Sequence, residues 1–204
     1  MSNAEDVENL IVKTKEHFGG GFDFILHSIG MSLNVRKGKH YTEIDYVHNL
    51  KTFEISSMSL HRVLAACMRH DALNEWASVV ALTYIAAQRV FPDYNEMADA
   101  KSLLESVARS FGYHYGVKKH VRVNTVSQSP TRTTAGSGVK GFDGFISYAE
   151  KMSPLGNASA EDCGNYCITL FSDLTRMVTM QNLFHDGGFS NTGVTSGVIE
   201  QMEK

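Results

Sequence analysis

Two tyrosines and a lysine are the residues of this sequence whose types and spacing best suit catalysis. Tyr84 is followed by Tyr94, and Lys101 lies seven positions after Tyr94. A helix of 3.6 residues per turn would bring Tyr94 and Lys101 onto one face. A neighbouring ammonium stabilises a developing phenolate or orients a phenol as a hydrogen-bond donor, and it could also hold a nucleotide ribose. Spacing alone leaves open that the pair shares an amphipathic helix without any function.

The hydrophobic pattern predicts which elements would position these side chains. Helical periodicity and short β-branched runs alternate along the chain. We predict helices over 5–18, 51–69, 95–113, 145–151 and 159–171, and strands over 22–27, 77–83, 121–126 and 178–184. This alternation predicts a single α/β domain over 1–204, with a parallel sheet covered by helices on both faces. Ligands of such sheets bind beyond the carboxyl ends of the strands. That rule places a site at 28–30, at 83–84 and at 127–134.

Composition excludes several classes of function. The chain has 204 residues, 43% of them hydrophobic and 20% charged, and a net charge of −3. This balance gives no reason to expect nucleic acid or an anionic membrane as partner, and no apolar run is long enough for a membrane span. The acidic, polar start is not a secretory signal, so we expect a cytoplasmic protein. Cys163 and Cys167 could share a helix face, but no further ligand stands at a supporting spacing, and we predict no metal.

The pattern of Tyr84, Tyr94, six residues and Lys101 resembles the signature of the enoyl-[acyl-carrier-protein] reductases, which diverge from the short-chain dehydrogenases/reductases. Ordinary members of that superfamily have Tyr-x3-Lys, which would put the lysine at position 98, where this chain has alanine. The resemblance extends over essentially the whole chain. It includes the segments 27–30, 121–124, 153–156 and 186–189, and it is nearest to the Bacteroidetes branch in 86–89 and 141–145.

The resemblance implies a Rossmann-like doubly wound fold that reduces trans-2-enoyl thioesters on acyl carrier protein with NADH in fatty-acid biosynthesis. It implies that Tyr94 hydrogen-bonds the thioester carbonyl, that Lys101 holds the nicotinamide ribose, and that Tyr84 lies near the substrate. It assigns cofactor contacts to Ile29, Gly30, Thr131, Thr133, Thr134 and Ala135, a substrate contact to Ser32, and a substrate-binding loop and short helix to 131–151. Ser28 is equally well interpreted as a cofactor contact or as a turn residue at the end of a strand.

Two features depart from the family pattern. Many relatives have Ala-Gly-Pro-Ile where this chain has Gln-Ser-Pro-Thr at 128–131, and serine adopts a positive φ less readily than glycine. No glycine-rich turn follows a strand, so we expect an N-terminally truncated chain that lacks the first βαβαβ unit. Such a chain would bind NADH weakly, and an unpaired strand edge would make it poorly soluble.

Three functions therefore remain open at the level of sequence. The first is the enoyl reductase, which the family implies to be a homotetramer with an interface on the helices 51–69 and 95–113. The second is a catalytically inactive fragment of such an enzyme. The third is another short-chain dehydrogenase/reductase that acts on a carbonyl, against which Ala98 and the pair Thr83-Tyr84 argue.

Overall fold

The computed structural model describes residues 3–131 and 142–203, and their centre is a parallel sheet. Four strands pair in chain order within these ranges: β1 (Phe22–His27), β2 (Leu73–Thr83), β3 (Arg122–Gln128) and β4 (Asn182–His185). Every pairing is parallel, with His27 opposite Ala81, Thr83 opposite Ser127, and Gln128 opposite His185. The α/β class with a parallel sheet is confirmed.

Helices connect the strands as the alternating pattern predicts. They are α1 (Ala4–Phe18), α2 (Leu33–Arg36), α3 (Tyr46–Phe53), α4 (Ser59–Arg69), α5 (Glu96–Lys119), α6 (Phe142–Met152), α7 (Ala160–Phe171) and α8 (Ser196–Met202). A π-helical segment, Glu54–Met58, joins α3 to α4 without a break. Ser159 caps α7 in a reciprocal capping box with Asp162, as the sequence predicts.

Both faces of the sheet are covered because side chains alternate along each strand. On one face Val79, Ala81 and Val123 pack against α1, α4 and α5, and the buried Tyr115 donates a hydrogen bond of 2.9 Å to the carbonyl of Leu64. On the other face Val80 and Val126 pack against α7. Burial of these apolar side chains contributes roughly 1.5–3 kcal/mol each to folding. Helices on both faces are thus confirmed.

The last strand is shorter than the pattern predicts. A strand over 178–184 was expected, but β4 begins only at Asn182. The buried side chain of Asn124 donates to the carbonyl of Val178 and accepts from the backbone N–H of Gln181. Met180 has φ of +61°, a value that a β-strand does not allow. A side chain of β3 therefore pairs with backbone that the hydrophobic pattern assigns to a strand.

The outer edge of β1 carries exposed apolar side chains. Phe24 is 57% exposed and Leu26 is 50% exposed. Phe24 contacts Phe171 of α7, with 5.1 Å between ring centroids, and within the described residues no second strand pairs with β1. An edge of this kind offers unpaired backbone groups beside apolar surface, which favours association with another chain.

We expect Phe24→Lys to reduce self-association of this 204-residue chain, because a lysine on an exposed edge strand opposes edge-to-edge pairing. Light scattering against protein concentration should show the onset of association at a concentration roughly tenfold higher than for the wild type. Val90→Lys is the matched control, since Val90 is 92% exposed and lies outside the sheet. Equal association of all three proteins would show that the β1 edge is not the surface responsible.

Candidate active site

A cavity of about 600 Å³ opens at the carboxyl ends of the strands. Its walls come from the segments after β1, β2 and β3, together with α5, α6 and α7. The predicted site residues that the structure places on its lining are Ser28, Ile29, Gly30, Ser32, Tyr84, Tyr94, Lys101 and Thr131. The remaining predicted residues, Thr133, Thr134 and Ala135, lie outside the described residues. Of the predicted loop 131–151, the structure describes Thr131 and the α6 part.

Tyr94 does not lie on the helix that carries Lys101, and the prediction that both occupy one helix face is wrong. Helix α5 begins at Glu96, and Asn95 between them has φ of +45° and ψ of −141°. This backbone conformation is sparsely populated for residues other than glycine, and it costs of order 1–3 kcal/mol. Asn95 holds it with a side-chain hydrogen bond to the carbonyl of Lys39. The chain therefore turns sharply after Tyr94, yet both side chains still reach the same cavity.

The Tyr94 hydroxyl has unused hydrogen-bonding capacity within the described part of the chain. The residue is half-buried, and its ring centroid lies 5.3 Å from that of Tyr84. Desolvation raises the pKa of Tyr94 above its usual value of 10.0. The phenol consequently stays protonated at neutral pH and acts as a hydrogen-bond donor.

Tyr84 lies directly behind Tyr94, in an aromatic cluster. It is 7% exposed, and its ring contacts Phe91 at 5.4 Å and Phe145 of α6 at 6.0 Å between centroids. Its hydroxyl is buried and finds no hydrogen-bond partner among the described residues. An unpaired buried donor costs free energy, so this hydroxyl is available to a ligand. Desolvation also raises the pKa of Tyr84, so this phenol too is neutral.

Lys101 connects two of the strand ends. Its ammonium donates a hydrogen bond of 2.8 Å to the carbonyl of Leu82 near the end of β2. A Cβ placed on Gly30, in the turn after β1, would lie 3.8 Å from the same nitrogen. Burial lowers the pKa of Lys101 to about 8, and the carboxylate of Glu105 partly opposes this shift. An ammonium has three donors, so donors remain for a ligand in the cavity.

Two serines of the π-helical segment bind the turn after β1 and helix α5, and sequence analysis missed them. The hydroxyl of Ser56 accepts from the N–H of Met31 at 3.0 Å and donates to its carbonyl at 3.1 Å. The hydroxyl of Ser57 donates to the carbonyl of Ala100 on α5. Both serines are fully buried. The available signal in the sequence was the pair of serines within the predicted amphipathic helix 51–69. π-Helical turns are frequent at functional sites.

The buried His27 at the end of β1 is a structural residue in this arrangement. Its Nε2 is 2.8 Å from the hydroxyl of Ser59. Burial lowers the pKa of His27 to about 4, and the charge of Lys101 adds to the effect. The imidazole is therefore uncharged at neutral pH, and it places no second positive charge beside the ammonium of Lys101.

Hydrogen bonds fix both Ser32, the expected substrate contact, and Ser129, which stands where many relatives have glycine. The Ser32 hydroxyl lines the cavity but is already engaged, since it donates to Glu96 Oε1 at 2.6 Å and accepts from the N–H of Val35 at 3.0 Å. Ser129 is not among the described residues with positive φ. Its hydroxyl accepts from the N–H of Ala158 at 3.1 Å. Serine thus suits the position where many relatives have glycine.

Helix α7 also lines the cavity, through Ala160, Cys163, Gly164 and Cys167. The two cysteines are buried on one face of α7 and pack in the core cluster that includes Val80. Small residues at helical spacing carry no chemical signature, so the sequence did not indicate this wall.

In the described ranges, 3–131 and 142–203, no helix combines the length and the apolar character needed to cross a bilayer.

The burial of Lys101 predicts a pH dependence of stability. Its pKa is about 8 in the folded protein, against an ordinary 10.5, so the unfolded chain binds more protons between these values. Stability therefore rises as the pH increases through this window. Between pH 8 and pH 10.5, the free energy of unfolding of the wild type should increase by roughly 2–3 kcal/mol more than that of Lys101→Met. Denaturant titration at each pH measures this difference.

Lys118→Met controls for the loss of one positive charge, because Lys118 is exposed on the same helix. Its difference from the wild type should stay constant through the window. A constant difference for Lys101→Met as well would mean that the ammonium of Lys101 is not desolvated in the folded chain.

Comparison with known proteins places this chain within a family. A family model described as "Enoyl-(Acyl carrier protein) reductase" matches residues 1–190. The chain is 34% identical over 190 residues to "Enoyl-[acyl-carrier-protein] reductase [NADH] 2" of Rhizobium meliloti, which covers 92% of this chain and 69% of that protein. It is 31% identical over 193 residues to the reductase FabI of Bacillus subtilis, at 94% and 73% coverage.

Solved structures agree with this assignment. The FabI–NADH complex from Alistipes finegoldii is 64% identical with a TM-score of 0.94, covering 95% of this chain and 69% of that one. The enoyl-[acyl-carrier-protein] reductase of Aquifex aeolicus is 29% identical with a TM-score of 0.88, at 95% and 75% coverage. The fold is thus the Rossmann-like fold of these enzymes, and the chain belongs to the enoyl-[acyl-carrier-protein] reductase family.

Proposed function

We propose that this chain carries the substrate site of an NADH-dependent reductase of trans-2-enoyl thioesters borne by acyl carrier protein. The observation that carries the proposal is that the Tyr94 hydroxyl and the Lys101 ammonium line one cavity and both retain donors for a ligand. The relatives named for NADH and the NADH complex of the Alistipes finegoldii enzyme support the choice of cofactor.

Tyr94 donates its hydrogen bond to the thioester carbonyl of the substrate. Bound NADH would supply hydride chemistry at the β-carbon of the enoyl group, with negative charge on the carbonyl oxygen until a proton from solvent reaches the α-carbon. A donor already aimed at that oxygen stabilises the resulting enolate, as in an oxyanion hole. The raised pKa of Tyr94 keeps the donor proton in place, so the residue acts as a donor rather than as a base.

Lys101 holds the ribose hydroxyls of the nicotinamide nucleotide. Burial lowers the pKa of this ammonium. Hydroxyl oxygens of a bound ribose would complete its hydrogen bonds and favour the charged form. Its reach from Leu82 to the turn at Gly30 suits a ligand that lies across the ends of β1 and β2.

The neighbouring groups complete the proposed site. Tyr84 places its unpaired hydroxyl beside Tyr94 and serves as a second polar contact to the substrate. Backbone groups of 28–30 contact the cofactor, as do Thr131, Thr133, Thr134 and Ala135. The loop and short helix 131–151 are assigned to substrate binding, and Phe145 of α6 packs in the aromatic cluster around Tyr84.

We infer that the full reductase works in the cytoplasm as a homotetramer. The interface was expected on 51–69 and 95–113, and the exposed large apolar side chains lie within or next to these ranges: Tyr113 lies within the second, whereas Tyr46, Val47 and Leu50 on α3 precede the first and Val117 on α5 follows the second. Stable interfaces bury such side chains. The substrate partner is acyl carrier protein.

The interface predicts that Val47→Glu combined with Leu50→Glu lowers the molar mass in analytical ultracentrifugation, because two charges would be buried without partners. Val90→Glu, an exposed apolar position outside both helices, should leave the mass unchanged. Unchanged mass for the double variant would remove α3 from the interface.

The direct test is oxidation of NADH, followed by its absorbance, with a short trans-2-enoyl thioester. We expect Tyr94→Phe to lower kcat roughly 10²–10³-fold, the usual effect of removing one oxyanion donor. Lys101→Met should raise the KM for NADH. Lys118→Met is the matched control, since Lys118 is exposed on α5 and is not part of the cavity lining.

The assay is run on the 204-residue chain and on the same chain extended by any coding sequence upstream of Met1. Turnover by the extended chain alone would identify the shorter chain as an inactive portion. Reduction of a 3-ketoacyl thioester in place of the enoyl thioester would instead identify a carbonyl reductase. Ala98 disfavours that outcome, because it stands where such enzymes carry lysine and packs in the aromatic cluster of Tyr84.

A further inference from the structure

Glu96 is a fully buried carboxylate beside the cavity that the mechanism above does not use. It is the first residue of α5 and is 0% exposed. Its Oε1 accepts hydrogen bonds from the hydroxyls of Ser32 at 2.6 Å and Thr52 at 3.1 Å. Its Oε2 is buried and has no partner within the described residues.

This arrangement is costly unless the carboxylate has a role. Burial of a charged group with incomplete hydrogen bonding costs free energy. The N-terminus of a helix offsets part of this cost, since its dipole favours an acidic residue in the first turn. The Ser32 hydroxyl offsets more, and the Thr52 hydroxyl shares its one proton between Oε1 of Glu96 and the carbonyl of His48. Among the described residues Oε2 has no partner.

The carboxylate joins three elements around the site. Ser32 caps α2 and lines the cavity after β1, Thr52 belongs to α3, and Glu96 begins the helix that carries Lys101. On the other side, the strained Asn95 separates Glu96 from Tyr94. Glu96 therefore fixes the end of α5 against the turn that forms the opposite wall.

We propose that Glu96 is a positioning residue, which acts through the Ser32 hydroxyl to set the separation between the segment 31–36 and Tyr94. The inference rests on the proposed reductase function. The carboxylate does not line the cavity, so its effect on the substrate passes through the Ser32 hydroxyl that it holds. Ser32 is the residue expected to contact the substrate, whereas the cofactor contacts are expected at 28–30, so the site shaped through Ser32 is the one for the thioester.

Two substitutions separate the hydrogen bonds from the charge. Glu96→Gln keeps an Oε1 acceptor for Ser32 and Thr52, whereas Glu96→Leu removes both hydrogen bonds at similar size. We expect Glu96→Leu to lower kcat/KM for the enoyl thioester about tenfold, with the Kd for NADH changed less than twofold. Glu96→Gln should stay within about twofold of the wild type.

Ser32→Ala tests the same contact from the other side. It should lower kcat/KM for the thioester by a similar factor, and the double variant with Glu96→Leu should be no worse than either single variant. Independent multiplication of the two effects would overturn the proposal. Asp99→Asn controls for the loss of an acidic group in the first turn of α5, because Asp99 is exposed there.

Hydrogen exchange decides the proposal without relying on turnover. In Glu96→Leu, amides of 31–36 should exchange about tenfold faster, whereas those of β2 and β3 should not change. Faster exchange throughout the chain, or equal losses for NADH and thioester, would indicate general destabilisation and overturn the positioning role. If the wild type shows this local protection but neither the 204-residue chain nor the extended chain reduces the enoyl thioester, Glu96 remains a positioning residue and the reductase function is rejected.

Discussion

The parallel register of β1, β2 and β3 is the constraint on which the site depends. Because His27, Ala81 and Thr83 belong to strands that end at one edge, the segments that follow them must converge there. Lys101 stabilises this arrangement, since its ammonium donates a hydrogen bond to the carbonyl of Leu82 and lies close to the turn at Gly30. Remote parts of the sequence thereby share one cavity, as parallel sheets of this class generally allow.

Sequence reasoning succeeded where one local signal decided the outcome. The strand at 22–27 and the capped start of α7 follow from hydrophobic runs and from Ser159 with Asp162. The membership of most predicted residues in one cavity also followed, because the strand-end rule needs only the order of the elements. The family signature added chemical roles that no spacing rule provides.

The errors arose where long-range contacts overrode local pattern. The residues next to Tyr94 give no local signal that Asn95 has a positive φ, because a hydrogen bond to the distant carbonyl of Lys39 stabilises this conformation. Residues 178–181 look like a strand, but Asn124 binds their backbone. The engagement of Ser32 by Glu96 joins residues 64 positions apart. Single-sequence patterns contain no information on such pairs.

The π-helical segment Glu54–Met58 sets the rotation of α3 relative to α4 about the shared helix axis. It accommodates one residue more per turn than an α-helix does. Loss of one residue from this segment would rotate α3 against α4 by about 100°. The hydrogen bond between Thr52 and Glu96 would be lost, whereas the hydrogen bond between Ser59 and His27 would remain. The length of this short stretch is therefore fixed by the geometry of the cavity, even though none of its side chains contacts the cavity, and a change in length there would act on the site as strongly as a substitution within it.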